Sequence, residues 1–290
     1  VTVTMTQTGG VFWQPDPVTG GSDCAAGTDA DQTFGNIVSM GGVIYYGAVG
    51  WTVEATFTGL DPNGVYEFAT SANRNNPAYS NRRTVYTILG ADAFHAAHTA
   101  GVIVDGVSAT FNTGDNTANG YVARWIGIRP GPDGSFTVRA THAPDAESGN
   151  KAYAFDVWML RRVSGFDAFA QQRGYRGTDE DLGRDNGQGV PLGVEYAAGD
   201  NLRADEPLIN IFERNGQVIV DVPAQADETR GDVQLVVQAA ERLTDGPDGW
   251  TLPTEPAPDT AGKPAHRAWF IPSGAEIPGR ARQQPATVRL

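Results

Sequence analysis

Apolar and polar positions alternate in twos between Gly120 and Val163. Tyr121, Ala123 and Trp125 fall on one face; Val122, Ile126 and Ile128 fall on the other, with Arg124 among them. The turn Pro130-Gly131-Pro132-Asp133-Gly134 reverses the chain, and then Phe136 and Val138 face one way while Thr137 and Arg139 face the other. After a polar loop, Tyr153, Phe155, Val157 and Met159 repeat the pattern. Period-two alternation broken by Gly, Pro and Asp turns predicts antiparallel strands over one core. The apolar run stops at Arg161-Arg162-Val163-Ser164-Gly165, so Val163 is read as the end of the last strand of a first β-domain.

The same pattern upstream predicts strands over Phe34 to Ser39, Val43 to Tyr46, Trp51 to Thr58, Val65 to Ser71, Arg83 to Leu89 and Val107 to Asn112. Residues 9 to 32 are a Gly/Pro/Asp-rich loop that contains Trp13, and Ala91 to Thr99 is expected to form a short helical turn. Asn63-Gly64, in the turn that follows Thr58, is the strongest short-range hairpin signal. Val1 to Thr8 reads VTVTMTQT, which is strong β chemistry without charge. It is either the first strand of the domain or an edge strand open to another chain, since charges and prolines that protect edges are missing from it. Roughly eight to ten short strands in the first ~160 residues fit a two-sheet sandwich or jelly roll.

From Phe166 the pattern changes. FDAFAQQRGYRG predicts a short helix with Phe166 and Phe169 on one face and Gly174 ending it. A polar loop follows, and Val190-Pro191 opens a second short helix that stops at Gly199. Strands return over Leu208 to Glu213, Gln217 to Val222, Val233 to Ala239 and Arg267 to Ile271, with Asn215-Gly216 predicting a hairpin and Thr251 to Pro264 an extended stretch. The expected fold is mainly β: two β-sandwich domains, one jelly-roll-like and one Ig-like, joined by a short helical linker. Their bounds are 1–163 for the first sandwich, 164–203 for the helices and loop, and 204–290 for the smaller second sandwich.

Composition agrees with many tight turns, through 36 glycines and 18 prolines. A 40% hydrophobic and 19% charged make-up argues against wholesale disorder. The net charge of −13 disfavours nucleic acid and anionic membranes as partners. Cys24 is the sole cysteine, so an intrachain disulfide is excluded; a buried or free thiol is expected, with pairing between chains as the alternative. No apolar run approaches the roughly 18 residues of a membrane span. The start at Val1 fits a terminus left by removal of a signal peptide, which places the protein outside the cell or on its surface.

Two stretches carry resemblances. Phe166 and Phe169, Gly189, Glu195-Tyr196 and Gly249-Trp250 resemble a C-terminal module of secreted and surface proteins of Verrucomicrobia and related bacteria, which covers 166–250 here. In that family a short aromatic helix leads into Asp-x-Asp-x-Asp-Gly-x-x-Asn-x-x-Glu-Tyr, a calcium-type loop, and then into a β-sandwich. Counting back from Glu195 puts Arg184, Asn186 and Gln188 where the resemblance implies the first three carboxylates. A guanidinium is no calcium ligand, so the loop is expected to have lost its calcium and to persist as a turn, with Asp181 and Asp185 offering a shifted register. Residues 51–163, through Gly59-Leu60-Asp61-Pro62, Ala72-Asn73-Arg74, Gly120 to Trp125 and Ala154-Phe155, are similar to a galactose-binding-like jelly-roll module. That resemblance implies a non-catalytic accessory or surface role.

Candidate chemistry is sparse. His95-x-x-His98 near Asp92 fits a metal pair if a third ligand arrives from elsewhere, or surface histidines on an Ala-rich turn. Glu54 and Glu67 lie on neighbouring predicted strands, as paired glycosidase carboxylates would, or as solvent-facing residues. No nucleophile elbow, His-Glu-x-x-His or phosphate loop is present. Asn73, Arg74, Asn76, Tyr79 and Arg82 join amides, guanidinium and an aromatic face as a sugar site does; the alternative is a long turn whose asparagines take left-handed angles. Trp13, Tyr45 and Tyr46 are the other aromatics open to solvent, although burial suits the tyrosines of an apolar run.

The expected protein is therefore a non-catalytic extracellular β-sandwich acting through its surface, with no cofactor. The leading expectation is a structural or adhesive subunit that pairs with copies of itself or other surface proteins through Val1, Val3 and Met5. The other is a carbohydrate-binding accessory module for a polysaccharide.

Overall fold

The computed structural model describes residues 1–14, 20–144 and 149–198, and beyond them only short strands between 210 and 289. The chain forms two compact units: Val1–Ser164 with Gln171–Arg176, and Gly165–Ala170 with Gly177–Leu290.

The first unit contains β1 (Thr2–Thr8), β2 (Trp13–Gln14), α1 (Asp29–Phe34), β3 (Val43–Ile44), β4 (Thr52–Thr58), β5 (Val65–Ser71), β6 (Arg83–Leu89), β7 (Ala91–Ala96), β8 (Ile103–Asp105), β9 (Ser108–Asn112), β10 (Ala123–Pro130), β11 (Phe136–His142) and β12 (Val157–Val163). A six-stranded antiparallel sheet runs β1-β4-β11-β6-β9-β8, and a four-stranded one runs β12-β5-β10-β7. Alternation sets the register. In β4, Val53, Ala55 and Phe57 are buried while Thr52, Glu54 and Thr56 turn outward, and a one-residue slip would exchange the two sets. Phe57 and Phe136 of the larger sheet meet Phe68 of the smaller, with Phe57 and Phe68 centroids 5.6 Å apart. Each such side chain contributes about 1.5–3 kcal/mol by leaving water.

Four sequence expectations are corrected. No strand forms over Phe34 to Ser39: Phe34 ends α1 and a turn follows, and the cap of α1 is Thr28, whose hydroxyl accepts the Asp31 N–H at 3.3 Å. That local bond organises a helix that buries Ala30 and Phe34, and it prevails over the apolar run. The predicted helical turn at Ala91 to Thr99 is largely β7, which pairs with β10; helix propensity in an Ala-rich stretch yields to the unpaired edge of β10. Asn63-Gly64 makes no hairpin, because β4 and β5 belong to different sheets. Asp61 Oδ1 accepts the Asn63 N–H at 3.0 Å and Tyr66 Oη accepts the Asp61 N–H at 2.9 Å, so the turn carries the chain between layers.

The alternation in β10 also breaks. Its register with β5 shifts between Trp125 and Ile128, and both side chains join the core beside Ala123. Gly127 at the irregularity has φ +60, and a Cβ there would sit 2.4 Å from the Gln171 carbonyl oxygen.

In the second unit, α2 (Gly165–Gln171) brings Phe166 and Phe169 against Tyr196 of α3 (Leu192–Ala198), at centroid distances of 5.6 and 5.2 Å. Strands β13 (Asn210–Arg214), β14 (Gln217–Pro223), β15 (Val236–Gln238), β16 (Glu255–Pro256), β17 (His266–Phe270) and β18 (Thr287–Arg289) follow. They form one sheet of order β13-β14-β17-β16 and the pair β15-β18. β13 and β14 pair as far as Arg214↔Gln217, the hairpin expected around Asn215-Gly216. Gly249-Trp250 lies outside the described residues.

Candidate functional site

Four separated stretches of the first unit converge on one aromatic and basic cluster, the first two joined by strand pairing. The β2·β3 pairing, Trp13 opposite Ile44, sets the first two. It presents Phe12 at 63% exposure and Trp13 at 42%, and the Tyr45 N–H donates to the Phe12 carbonyl at 2.7 Å. The chain after β5 supplies Arg74, Tyr79 and Arg82, and the segment before β12 supplies Lys151 and Tyr153. Tyr153 is the buried floor: it meets Tyr45 edge-on at 5.6 Å and Tyr46 at 6.3 Å. The Arg82 guanidinium lies 3.1 Å from the Tyr79 ring centroid and donates through Nη1 to the Tyr153 hydroxyl. Arg74 stands 5.7 Å from the centre of Tyr45, and Lys151 Nζ 5.9 Å from that of Tyr46. Burial pushes the Tyr153 hydroxyl up to about 12 even against Arg82, so it stays protonated. Flat rings beside cationic donors can hold a ring-shaped polar ligand by stacking and charge-assisted hydrogen bonds.

The sequence candidates divide in two. Arg74, Tyr79 and Arg82 belong to this cluster. Asn73 is corrected, being buried in the loop, while Asn76 is half-buried with its Oδ1 engaged in the same turn. Asn73 is fully buried; its Nδ2 donates to the Ser22 carbonyl and Thr117 Oγ1, both at 3.1 Å, and its Oδ1 accepts the N–H groups of Asn75 and Asn116. Asn76 Oδ1 accepts the Ala78 N–H at 3.1 Å, and Asn75 takes the left-handed φ of 52, as the turn alternative expects. Sequence reasoning missed Phe12 and Lys151, which lie far from the 73–83 stretch along the chain. It also set Tyr45 and Tyr46 toward burial, whereas both are only half-buried.

Charges placed elsewhere serve the fold. Glu54 pairs with Arg139 at 2.6 Å on the outward face of the larger sheet, while Glu67 is 3% exposed in the smaller one. They lie in different sheets, which corrects the expectation of neighbouring strands. Arg124, 2% exposed, donates to Glu67 at 2.8 Å, to Asp29 at 2.7 Å and to Thr33 at 2.7 Å; Arg161 and Gln171 donate to the other Glu67 oxygen. Burial alone would raise the Glu67 carboxyl, but the Arg124 and Arg161 hydrogen bonds and charges overcome it and hold it below the usual range. The signal was in the sequence: a lone arginine among Val122 and Ile126 needs a buried acid.

His95 and His98 do not share a helical face. His95 Nε2 is 2.9 Å from the Gln172 carbonyl oxygen, and His98 Nδ1 accepts the Arg124 N–H at 2.9 Å. Burial, helped by the Arg124 charge, pulls His98 down to about 4. Cys24 is a buried thiol in an apolar cluster with Phe34, Met40 and Val122, and burial followed by nearby aspartates pushes it up to about 12.

In the second unit the loop from Arg184 to Glu195, expected above to be a degenerate calcium loop, carries bonds among its own side chains. The Asn186 amide donates to Glu195 at 2.9 Å, Arg184 Nε pairs with Asp181 at 2.6 Å, and Asp185 Oδ1 accepts the Gly187 and Gly189 N–H groups. Gln188 donates its N–H to Asn186 Oδ1. A donor amide aimed at the closing glutamate and a guanidinium at the first position do not fit a calcium ion. No family model, curated protein or solved structure matches the chain.

Proposed function

We propose that the chain is a non-catalytic, extracellular or surface-bound binding protein that takes a carbohydrate at the aromatic and basic loop end of its first unit. One observation carries this reading: Phe12, Tyr45, Tyr46 and Tyr79 gather with Arg74, Arg82 and Lys151 from four distant stretches, and Phe12 is left 63% exposed. An exposed ring beside hydrogen-bond donors suits a ligand with an apolar face and polar edges. Binding rather than turnover is favoured because Glu54 and Glu67 are each engaged by arginines, and Glu67 is kept ionised. The reading treats the first unit as jelly-roll-like and the second as Ig-like. Phe12→Ala should weaken retention on an insoluble polysaccharide about five- to tenfold with unchanged thermal unfolding, the loss of one stacked ring. Unchanged retention would remove this cluster from consideration.

A second reading, a structural or adhesive subunit, is favoured by β1. It is the edge of the six-stranded sheet, uncharged, and exposed along nearly its whole length.

A further inference from the structure

The acids and bases of this chain are unequal, 34 Asp and Glu against 21 Lys and Arg. With carboxylates in such excess, a surface cation ordinarily finds one. Arg139 pairs with Glu54 at 2.6 Å, Arg162 with Asp61 at 2.8 Å, and Arg161 with Glu67 at 2.7 Å. The aromatic cluster departs from this habit. Arg74, Arg82 and Lys151 make no ion pair with a carboxylate among the described residues, and each is set against a tyrosine ring instead.

A cation over a ring face gains attraction from the ring's quadrupole and keeps its outward N–H donors. Arg82 uses Nη1 on the Tyr153 hydroxyl, which leaves most of its five N–H groups for another acceptor. Arg74 Nε is sealed from solvent without a hydrogen-bond partner among the described residues. Among the described residues, Asp156 is an acid whose charge couples to Arg74. Its Oδ2 accepts the Asn73 N–H at 2.5 Å, and burial raises its carboxyl well above the usual range, against the Asn73 hydrogen bond and the Arg74 charge. Three positive groups thus ring a set of tyrosines in a protein of net charge −13. In the field of that net charge, an anionic ligand would approach a surface where positive charge is concentrated.

We infer that the ligand of this cluster is an anionic polysaccharide, its carboxylate or sulfate groups held by Arg74, Arg82 and Lys151 while its sugar rings lie on the exposed aromatic side chains. The inference rests on the carbohydrate reading above and adds the charge class to it.

Affinity electrophoresis of the full chain tests it in gels containing a polyuronate, a sulfated galactan or a neutral β-glucan. Retardation is expected in at least one anionic gel and should exceed that in the neutral gel; which anionic gel retards tells carboxylate from sulfate. The double variant Arg74→Gln, Lys151→Gln keeps the rings and should lose about tenfold in affinity, the effect of removing two charge-assisted hydrogen bonds at a solvated site. Salt near 1 M, where the Debye length falls to about 3 Å, should abolish the difference. If the neutral glucan retards the chain as strongly as the anionic gels, or the folded double variant migrates as the native chain does, the charge class is wrong while carbohydrate binding stands. If no gel retards the chain, both fall together.

Discussion

Arg124 lies on a strand between Val122 and Trp125, where an uncompensated charge would not be tolerated. Its guanidinium reaches Glu67 on β5 and Asp29 on α1, so one side chain ties a strand pair to the helix beside it. Buried pairs of this kind add little net stability over an apolar replacement, but breaking one side leaves a stranded charge. Glu67→Ala should therefore lower stability by about 3–5 kcal/mol, measured by denaturant unfolding followed through tryptophan fluorescence. The double variant Glu67→Leu, Arg124→Met should recover much of that loss, because the partners left behind, Asp29 and Arg161, are 19% and 47% exposed and reach water. Simple additivity of the single losses would show that the pair is not coupled.

Among the elements, β1 is an edge strand of the six-stranded sheet. Seven residues pair with β4, from Thr2↔Thr58 to Thr8↔Thr52, and Thr8 and Thr52 hydroxyls meet at 2.8 Å. Met5 packs on the core while Val1 and Val3 stay exposed, so the strand belongs to its own sheet yet offers its other edge. Thr4 and Thr6 point outward, and a lysine at either is compatible with the fold. If copies join through this edge, Thr4→Lys with Thr6→Lys should leave a folded monomer and abolish higher assembly by light scattering and electron microscopy. Assembly identical to that of the native chain would discard β1 as the connector.

For the molecule as a whole, two enclosed titratable groups tilt stability with pH in opposite ways. His98 is held neutral, because its Nδ1 accepts a backbone N–H and burial opposes charge. The unfolded chain takes up that proton below its ordinary 6.5, so the contribution is intact above 6.5 and is lost as pH falls toward about 4. The expected loss is about 1–2 kcal/mol, less than full linkage because the ring is partly exposed. Asp156 is raised, so its contribution is intact below 3.8 and is lost as pH rises through the folded value. Thermal unfolding from pH 7 to 4 should show a shallower decline for His98→Gln, and Asp156→Asn should raise the midpoint at pH 7 by more than it does at pH 4. Parallel curves for native and variant chains would contradict these assignments.

Alternation along the chain was sufficient to place β4, β6 and β11 and to predict a mainly β fold, because which side of such a strand meets water is written in every second residue, whereas β5 is buried along its whole length. The hairpin at Asn215-Gly216 was legible for the same local reason. Local signals failed where a distant partner outweighed them: Ala91–Ala96 became a strand beside β10, and Asn63-Gly64 crossed between sheets because Phe57 and Phe68 must face one another. The candidate site was half legible. Arg74, Tyr79 and Arg82 stood together in the sequence, but Phe12 and Lys151 joined them only through the β2·β3 pairing and the return of the chain before β12. Side-chain type and spacing determine which face of an element is buried; which elements then share a neighbourhood is decided by packing between residues remote in sequence, and that exists only in the folded chain.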